Sequence, residues 1–146
     1  MLTNKGKYGL KAMVHLARLE GGATVQSAEI AGAEQISKKF LDAILHDLRN
    51  AGFVRSKKGP GGGYALARPA AEIGVGAIVR ALDGPLAPIA CASRTAYRPC
   101  DDCRDLIACA VRLTMLEVRD AMAAVLDGQS LADMVAKADA EARADA

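Results

Sequence analysis

The stretch ISKKFLDAILHDLRNAGFVRSKKGPGGGYALARP, residues 36–69, decides the fold because a helix and a β-hairpin follow each other within it. Apolar residues at helical spacing form one stripe, and Ser37 precedes them as the expected N-cap. The stripe consists of Leu41, Ile44, Leu45 and Leu48. Gly52 ends the helix. Alternating apolar and polar residues then flank a glycine-rich tip, which predicts two antiparallel strands.

The opposite face of this helix is largely polar and partly basic. Its residues are Lys38, Lys39, Asp42, Ala43, His46 and Arg49. A shorter helix precedes it, with Ser27 as its expected N-cap, so the two helices resemble a helix-turn-helix. A small helical bundle with a solvated face would show the same pattern. The hairpin that follows favours the DNA-binding interpretation.

The hairpin has the composition of a DNA-binding wing. Lys57 and Lys58 stand just before the GPGGG tip, where Gly61 and Gly62 let the backbone turn sharply and approach a narrow groove. A lysine at such a tip can contact phosphates or the minor groove. The loop does not fit a nucleotide-phosphate site, because Tyr-Ala-Leu follows Gly63 instead of Lys, Ser or Thr and a helix.

Charge divides the chain of 146 residues into two halves. Residues 1–68 hold eleven Lys/Arg and five Asp/Glu, a net charge of +6, whereas residues 69–146 hold eight and twelve, a net charge of −4. We therefore expect only the first half to contact a polyanion such as a double-stranded DNA operator.

The C-terminal half predicts a long helix over 105–128, without Gly or Pro before Gly128. Six positions in it repeat with the 4-3 spacing of a coiled-coil seam. They are Ile107, Val111, Thr114, Val118, Ala121 and Val125. Further apolar residues on this helix need a second surface to cover them. We expect one side of the helix to pack on the body of the protein and the other on a second copy, which predicts a homodimer.

All four cysteines lie in one stretch, CASRTAYRPCDDCRDLIAC, residues 91–109. The chain has no apolar run long enough to cross a bilayer and begins too polar for a secretory signal, so we expect a cytoplasmic protein with no membrane contact. Clustered thiols in a reducing compartment are more often metal ligands or reactive groups than structural disulfides. Cys100 and Cys103 form Cys-x-x-Cys, which suits zinc or a redox dithiol.

An enzymatic role finds little support in the sequence. A redox protein using Cys100 and Cys103 would place them after a strand, at the start of a helix, and nothing in 85–105 predicts such a strand. His15 and His46 lie on helices far from the cysteines in sequence, so we interpret them as surface or packing residues. We predict that the chain is not an enzyme.

These patterns predict a mainly α fold with a small β-hairpin wing. The winged helix-turn-helix domain occupies 1–68, and a connecting helix and turn occupy 69–90. The cysteine-rich sensor loop at 91–109 overlaps the start of the long dimerisation helix at 105–128. Residues 129–146 form a short helix, capped by Ser130, and a frayed tail.

The quoted residues, together with LTNKGKYGLKAM at the start and VGAIVRALDG before the cysteines, resemble the Rrf2 family of bacterial transcription regulators, which includes IscR, NsrR and RirA. The resemblance covers residues 2 to about 135. It implies a dimer held by the long helix, a recognition helix in the major groove and a wing at the minor groove. By position, Lys39, Asp42 and Ala43 fall where family members contact bases, and Lys58 falls where a wing Arg enters the minor groove.

The resemblance also implies a ligand set. Family members hold a 2Fe–2S or 4Fe–4S cluster with three cysteines of this loop, which correspond to Cys91, Cys103 and Cys109. Arg112 and Lys7 occupy positions where some members have a fourth ligand, and neither can serve, so Cys100 is the natural candidate. Structural zinc, or a thiol sensor without metal, remains the alternative. We expect the loop to sense iron, redox or nitrosative state.

Overall fold

A computed structural model describes residues 2–145. Six helices and one hairpin follow each other in it. They are α1 (Asn4–Ala17), α2 (Ser27–Glu34), α3 (Lys38–Asn50), β1 (Val54–Lys57), β2 (Gly63–Leu66), α4 (Val75–Asp83), α5 (Ala110–Asp127) and α6 (Leu131–Ala144). Short 3₁₀ turns lie at Ala70–Glu72 and Ala90–Ala92. The predicted fold class, mainly α with a small hairpin, is confirmed.

The core is built around α3 and includes residues from both halves of the chain. The four residues of its apolar stripe are fully buried, as the helical spacing predicted. They pack with Met13 of α1, Ile30 of α2 and Ile78 of α4, so three helices close over α3. The N-cap is confirmed, since the Ser37 hydroxyl accepts a hydrogen bond from the Phe40 N–H.

The hairpin is tied to the helices by an additional strand-like contact. Val54 pairs with Leu66 and Lys57 with Gly63 in antiparallel register. Val25, just before α2, exchanges two backbone hydrogen bonds with Tyr64, at 3.0 and 2.7 Å. Gly63 adopts φ +141°, and a side chain there would collide with the Val25 carbonyl. This close approach fixes the base of the hairpin against α2.

The C-terminal helices pack on this unit from two sides. Ala123 and Leu126 of α5 cover Val79 of α4, and Arg80 makes a bidentate ion pair with Asp127, at 2.6 and 2.9 Å. Helix α6 lies against α1 and the 3₁₀ turn at Ala70–Glu72, with Leu131 fully buried. These contacts fix one side of α5 and leave its other side uncovered.

The structure differs from the sequence-based expectations at α2 and α5. The N-cap of α2 is Gln26, without a side-chain hydrogen bond, so Ser27 does not cap it; Ser27 instead hydrogen-bonds Asp42 of α3. Helix α5 begins at Ala110, later than residue 105. In the irregular segment before it, the Asp105 carboxylate accepts the N–H groups of Ile107 and Ala108.

The C-terminal helix is also longer than expected. Ser130 caps it in a capping box with Asp133, as predicted, but the helix continues to Ala144 where a frayed tail was expected. An ion pair between Arg18 of α1 and Asp139, at 2.9 Å, holds its middle turns against the body. Ala146, the last residue of the expected tail, lies outside the described residues.

Candidate DNA-binding face and cysteine cavity

The outer face of α3 is accessible along its whole length. Lys38, Lys39, Ala43, His46 and Arg49 are exposed, and Asp42 is half-buried. Because the apolar stripe holds the opposite face in the core, these side chains project away from the protein body. The structure therefore places together all six helix residues that the sequence selected for DNA contact.

Three of these polar side chains, Lys38, Asp42 and Arg49, have hydrogen-bond partners that orient them. Lys38 donates a hydrogen bond to the Asp42 carboxylate at 2.9 Å, one turn away. Hydrogen bonds from Lys38 and then from Ser27 hold the pKa of Asp42 below its usual value. Arg49 donates to the Ser56 hydroxyl of β1 at 3.4 Å, which links the end of α3 to the wing.

The wing tip is rigid in its backbone and exposed in its side chains. Gly59 and Gly61 adopt φ of +87° and +72°, and the Gly62 N–H donates to the Gly59 carbonyl at 2.9 Å. The Thr24 hydroxyl donates to the Gly61 carbonyl at 2.7 Å. These bonds present Lys57 and Lys58, both exposed, on one fixed turn.

A cleft between the wing and the two helices adds residues that the sequence reasoning missed. It has a volume of about 260 Å³ and is lined by Gln26 and Ser27 of the α2 start, Lys38 of α3 and Lys57 of the wing. From the sequence, Ser27 was expected only to cap α2, and Gln26 was not selected. Their place beside the basic residues depends on the bridge between Val25 and Tyr64, which is a tertiary contact.

The predicted seam of α5 faces solvent. All six of its positions are exposed, with Ile107 at 85%, Val111 at 61%, Val118 at 40% and Val125 at 58% of their full exposure. Leu116, Met122 and Leu126, on the other side of the helix, are partly buried. Residue 107 lies in the irregular segment before the helix, so the helical part of the seam runs from Val111 to Val125.

The four cysteines come together around one cavity. Cys91 lies buried in the 3₁₀ turn Ala90–Ala92, Cys100 is exposed in the following loop, and Cys109 is the N-cap of α5. With Cys103 they line a cavity of about 440 Å³, together with Asp102, Asp105, Arg104 and Arg112. Residues separated by up to eighteen positions in sequence thus share one space beside the start of α5.

Within the cavity, Cys91 and Cys100 are direct neighbours. Their sulfur atoms are 3.6 Å apart, and the hydrogen bond from the Cys100 thiol to Cys91 raises the pKa of Cys100. The Cys109 sulfur accepts the N–H of Arg112 at 3.5 Å as part of the α5 cap.

Two arginines join the cysteine loop, residues 91–109, to α5. Arg112 donates to the Cys91 carbonyl at 3.0 Å and to the Leu106 carbonyl at 3.2 Å, and its guanidinium lies 5.9 Å from the centre of the Tyr97 ring. Arg94 makes a bidentate ion pair with Asp120, at 2.8 and 2.7 Å. Arg94 first, and Arg119 second, hold the pKa of Asp120 well below its usual range.

The four cysteine thiols are the kind of ligand that a thiophilic metal prefers, but they do not surround a single point. Two thiolates on one tetrahedral zinc at about 2.3 Å would lie roughly 3.8 Å apart, close to the spacing of Cys91 and Cys100. Across residues 2–145, no three His, Cys, Asp or Glu side chains converge closely enough to hold an ion. A metal held by all four thiols would therefore require Cys103 and Cys109 to join the Cys91–Cys100 pair.

The remaining candidates have structural roles or no catalytic setting. His15 Nδ1 lies 3.5 Å from the carboxylate of Glu34, the last residue of α2. His46 Nε2 lies 3.1 Å from Asn50 Nδ2, one turn further along α3. Cys100 and Cys103 lie in an irregular loop after a 3₁₀ turn, which is not the strand-to-helix setting of a redox dithiol. In the part of the chain that the structure describes, no helix is long and apolar enough to cross a membrane.

A helix-turn-helix with a basic outer face and an anchored wing defines a winged helix-turn-helix transcription regulator. Residues 2–137 match the sequence model of the Rrf2 family, which is described as iron-dependent transcriptional regulators. The chain belongs to this family. It is 42% identical over 139 residues to an HTH-type regulator of Rhodobacter capsulatus named rrf2-like, covering 93% of both chains.

Solved structures agree with this assignment. CymR of Bacillus subtilis, described as a global cysteine regulator, superposes with a TM-score of 0.77 at 32% identity, covering 94% of this chain and 97% of that one. IscR of T. potens gives a TM-score of 0.73 at 31% identity, covering 94% and 88%. The family and its relatives are regulators, and the protein is a DNA-binding transcription regulator, not an enzyme.

Proposed function

We propose that two copies of this protein bind an operator through their N-terminal halves, and that the cysteine loop holds an iron–sulfur cluster that controls their affinity. The observation that carries the sensing part is the meeting of all four cysteines in one cavity against the first turn of α5. The family's description as iron-dependent supports iron as the metal.

At the DNA, α3 lies in the major groove and the wing reaches the minor groove. Lys39, Asp42 and Ala43 contact base edges, where Asp42 would accept a hydrogen bond from cytosine N4 and Ala43 would touch a thymine methyl group. Lys38, His46, Arg49 and Lys57 contact the DNA backbone, and Lys58, just before the glycine-rich tip, enters the minor groove. The exposure of these side chains, except the half-buried Asp42, supports this assignment.

The second copy packs on the exposed seam of α5. Three valines on the helical part of this seam are 40–61% exposed, and covering them removes apolar surface from water. A two-fold axis across this seam pairs each helix with its own copy. The spacing of the two recognition helices on DNA then depends on how α5 is oriented relative to α4.

The four thiols supply the ligands. Cys91, Cys103 and Cys109 would hold the cluster with Cys100 as the fourth, because thiolates are the soft anionic donors that iron–sulfur clusters use. When bound, such a cluster supplies a centre that responds to iron supply, oxygen or nitric oxide. Arg104 and Arg112 at the cavity wall offset the negative charge of deprotonated thiols.

Side chains connect the cysteine loop to α5: Arg94 of the loop pairs with Asp120, and Arg112 of α5 bonds two carbonyls of the loop. Binding of a cluster would bring the four cysteines closer together. This would displace the cysteine loop, which Arg94 and Arg112 tie to α5. Because Arg112 holds both the Cys91 and Leu106 carbonyls, a shift of either end of the loop changes the start of α5. A coupling of about 1–3 kcal/mol would alter operator affinity roughly 5- to 150-fold.

The cluster assignment is tested by anaerobic purification followed by visible absorption and by iron, zinc and acid-labile sulfide analysis. We expect a coloured protein with iron and sulfide in comparable amounts. Cys109→Ser should abolish both, and Thr95→Ala, a change at an exposed position of the same loop that keeps all four thiols, is the control. Colourless protein with one zinc per chain would replace the cluster by a structural zinc site, for which the Cys-x-x-Cys pair is suited.

A further inference from the structure

Cys91 and Cys100 are arranged as a potential disulfide. Their sulfur atoms are 3.6 Å apart, whereas a disulfide bond is about 2.05 Å long, so an approach of roughly 1.6 Å joins them. One member of the pair is buried and the other is exposed. A reagent from solution therefore reaches Cys100, and Cys91 is within reach from the protein side.

The loop between the two cysteines is closed by the backbone. The Arg98 N–H donates to the Ala90 carbonyl at 3.2 Å, so the residue before Cys91 is already bonded to the residue two positions before Cys100. Inside it, the Ser93 hydroxyl accepts the Ala96 N–H at 2.9 Å. The Cys91 carbonyl is held by Arg112. Cys91 is thus the fixed partner, and a small movement of Cys100 suffices for bonding.

We propose that Cys91 and Cys100 form a reversible disulfide when the metal-free protein meets hydrogen peroxide. The Cys100 thiolate attacks one peroxide oxygen, the O–O bond breaks, and the departing hydroxide takes up a proton as water. The sulfenic acid so formed is then attacked by the Cys91 thiolate, which makes the S–S bond and releases a second water. The two sulfurs lose two electrons, and the peroxide gains them.

The disulfide would exclude metal from the cavity. Bonded sulfurs are not thiolates, so Cys91 and Cys100 are unavailable as ligands until a dithiol reductant cleaves the bond. This inference deepens the proposed sensing function, and its effect on DNA binding rests on that function. Formation of the bond itself requires neither iron nor DNA, so the two claims can fail separately.

The test maps the cysteines of full-length protein prepared without metal under anaerobic conditions. One equivalent of hydrogen peroxide is added, free thiols are alkylated, and the chain is digested with trypsin and Asp-N together. Because cleavage follows Arg94 and Arg104 and precedes Asp101, Asp102 and Asp105, each cysteine falls on its own peptide. We expect the titratable thiols to fall from four to two, with peptides 83–94 and 95–100 linked.

Matched variants separate this pair from the alternatives. Cys100→Ser should lose the linked peptide, whereas Cys103→Ser should keep it and retain one free thiol, that of Cys109. A dominant link to Cys103 or Cys109, or four thiols surviving the treatment, would overturn the inference. Iron and sulfide content of the untreated wild type tests the cluster independently, so a protein that binds the cluster but forms no disulfide refutes this inference alone.

Discussion

The two halves of the molecule differ in how completely their apolar side chains and potential ligands find partners within one chain. In the N-terminal half, the stripe of α3 is buried between three helices and the wing is fixed to α2. In the C-terminal half, α5 buries one side and exposes a regular apolar seam, and the four thiols share a cavity without converging. The stripe of α3 is thus fully covered within one chain, whereas we propose that a second chain covers the seam of α5 and that a metal gathers the thiols.

Truncation of the core should have the largest effect and sharpens this comparison. Leu45→Ala removes a fully buried side chain and should lower the free energy of unfolding by about 2–5 kcal/mol, measured by urea titration. Leu113→Ala, the same change at an exposed position of α5, should cost about 0.5 kcal/mol or less. Similar losses at both positions would show that α5 is as fully packed as α3.

A charge in the seam should break the dimer while the chain stays folded. Val118→Glu places a carboxylate from each copy in the proposed interface and should weaken dimerisation by about 3 kcal/mol, roughly 100-fold, in sedimentation experiments. Ala124→Glu adds the same charge beside Glu117 and Asp120 on the polar face of α5 and should leave the dimer intact. A Val118→Glu protein that remains dimeric would place the interface elsewhere.

Loss of a wing lysine should change the salt dependence of DNA binding. Lys58→Ala removes one phosphate-neutralising charge per copy, so the slope of log affinity against log salt should fall by about 1.8 for a dimer. Lys137→Ala removes the same charge from α6 and should leave the slope unchanged. An unaltered slope in the Lys58 variant would show that the wing does not reach the DNA.

Weakening the link between the loop and α5 should reduce the response of DNA binding to metal. Arg112→Ala removes both hydrogen bonds to the loop and should bring the operator affinities of metal-loaded and metal-free protein to within about twofold of each other. Arg112→Lys keeps the charge but not the planar fork that reaches two carbonyls, and should behave similarly. A full response in both variants would exclude this link.

The smallest effect concerns the acid behaviour of the Arg94–Asp120 pair. The pKa of Asp120 is lowered in the folded chain, so this pair contributes its full stability above about pH 4, the pKa of an unfolded aspartate. The contribution is lost as the pH falls through the lower folded value. Asp120→Asn should therefore reduce the melting temperature slightly at pH 6, and the difference from wild type should shrink only as the pH falls below the pKa of an unfolded aspartate toward the lower folded value. A difference that persists at low pH would have another origin.

The sequence predicted those parts of the fold that depend on local pattern. The α3 stripe, the Ser37 cap and the hairpin each require only a few neighbouring residues, and the structure contains all three. Ser27 was assigned to a cap because its partner Asp42 lies on the next helix, outside any local pattern. The start of α5 was placed too early because the apolar spacing continues back to Ile107, whereas the helix begins after Cys109, which caps it.

The candidate site was predictable in composition but not in arrangement. Sequence spacing and family resemblance named all four cysteines, yet neither could pair Cys91 with Cys100, since no regular element connects them. The same holds for Arg112, which was considered only as a residue in the place of a ligand and proves to join two carbonyls of the loop. Contacts across an irregular loop depend on the folded backbone.

The central claim is that the occupancy of the cysteine cavity controls DNA affinity. The most direct test compares operator binding by protein loaded with iron and sulfide under anaerobic conditions and by the same preparation freed of metal, at equal salt concentration. The account predicts affinities that differ roughly 5- to 150-fold. Equal affinities for every operator that the protein binds would contradict it.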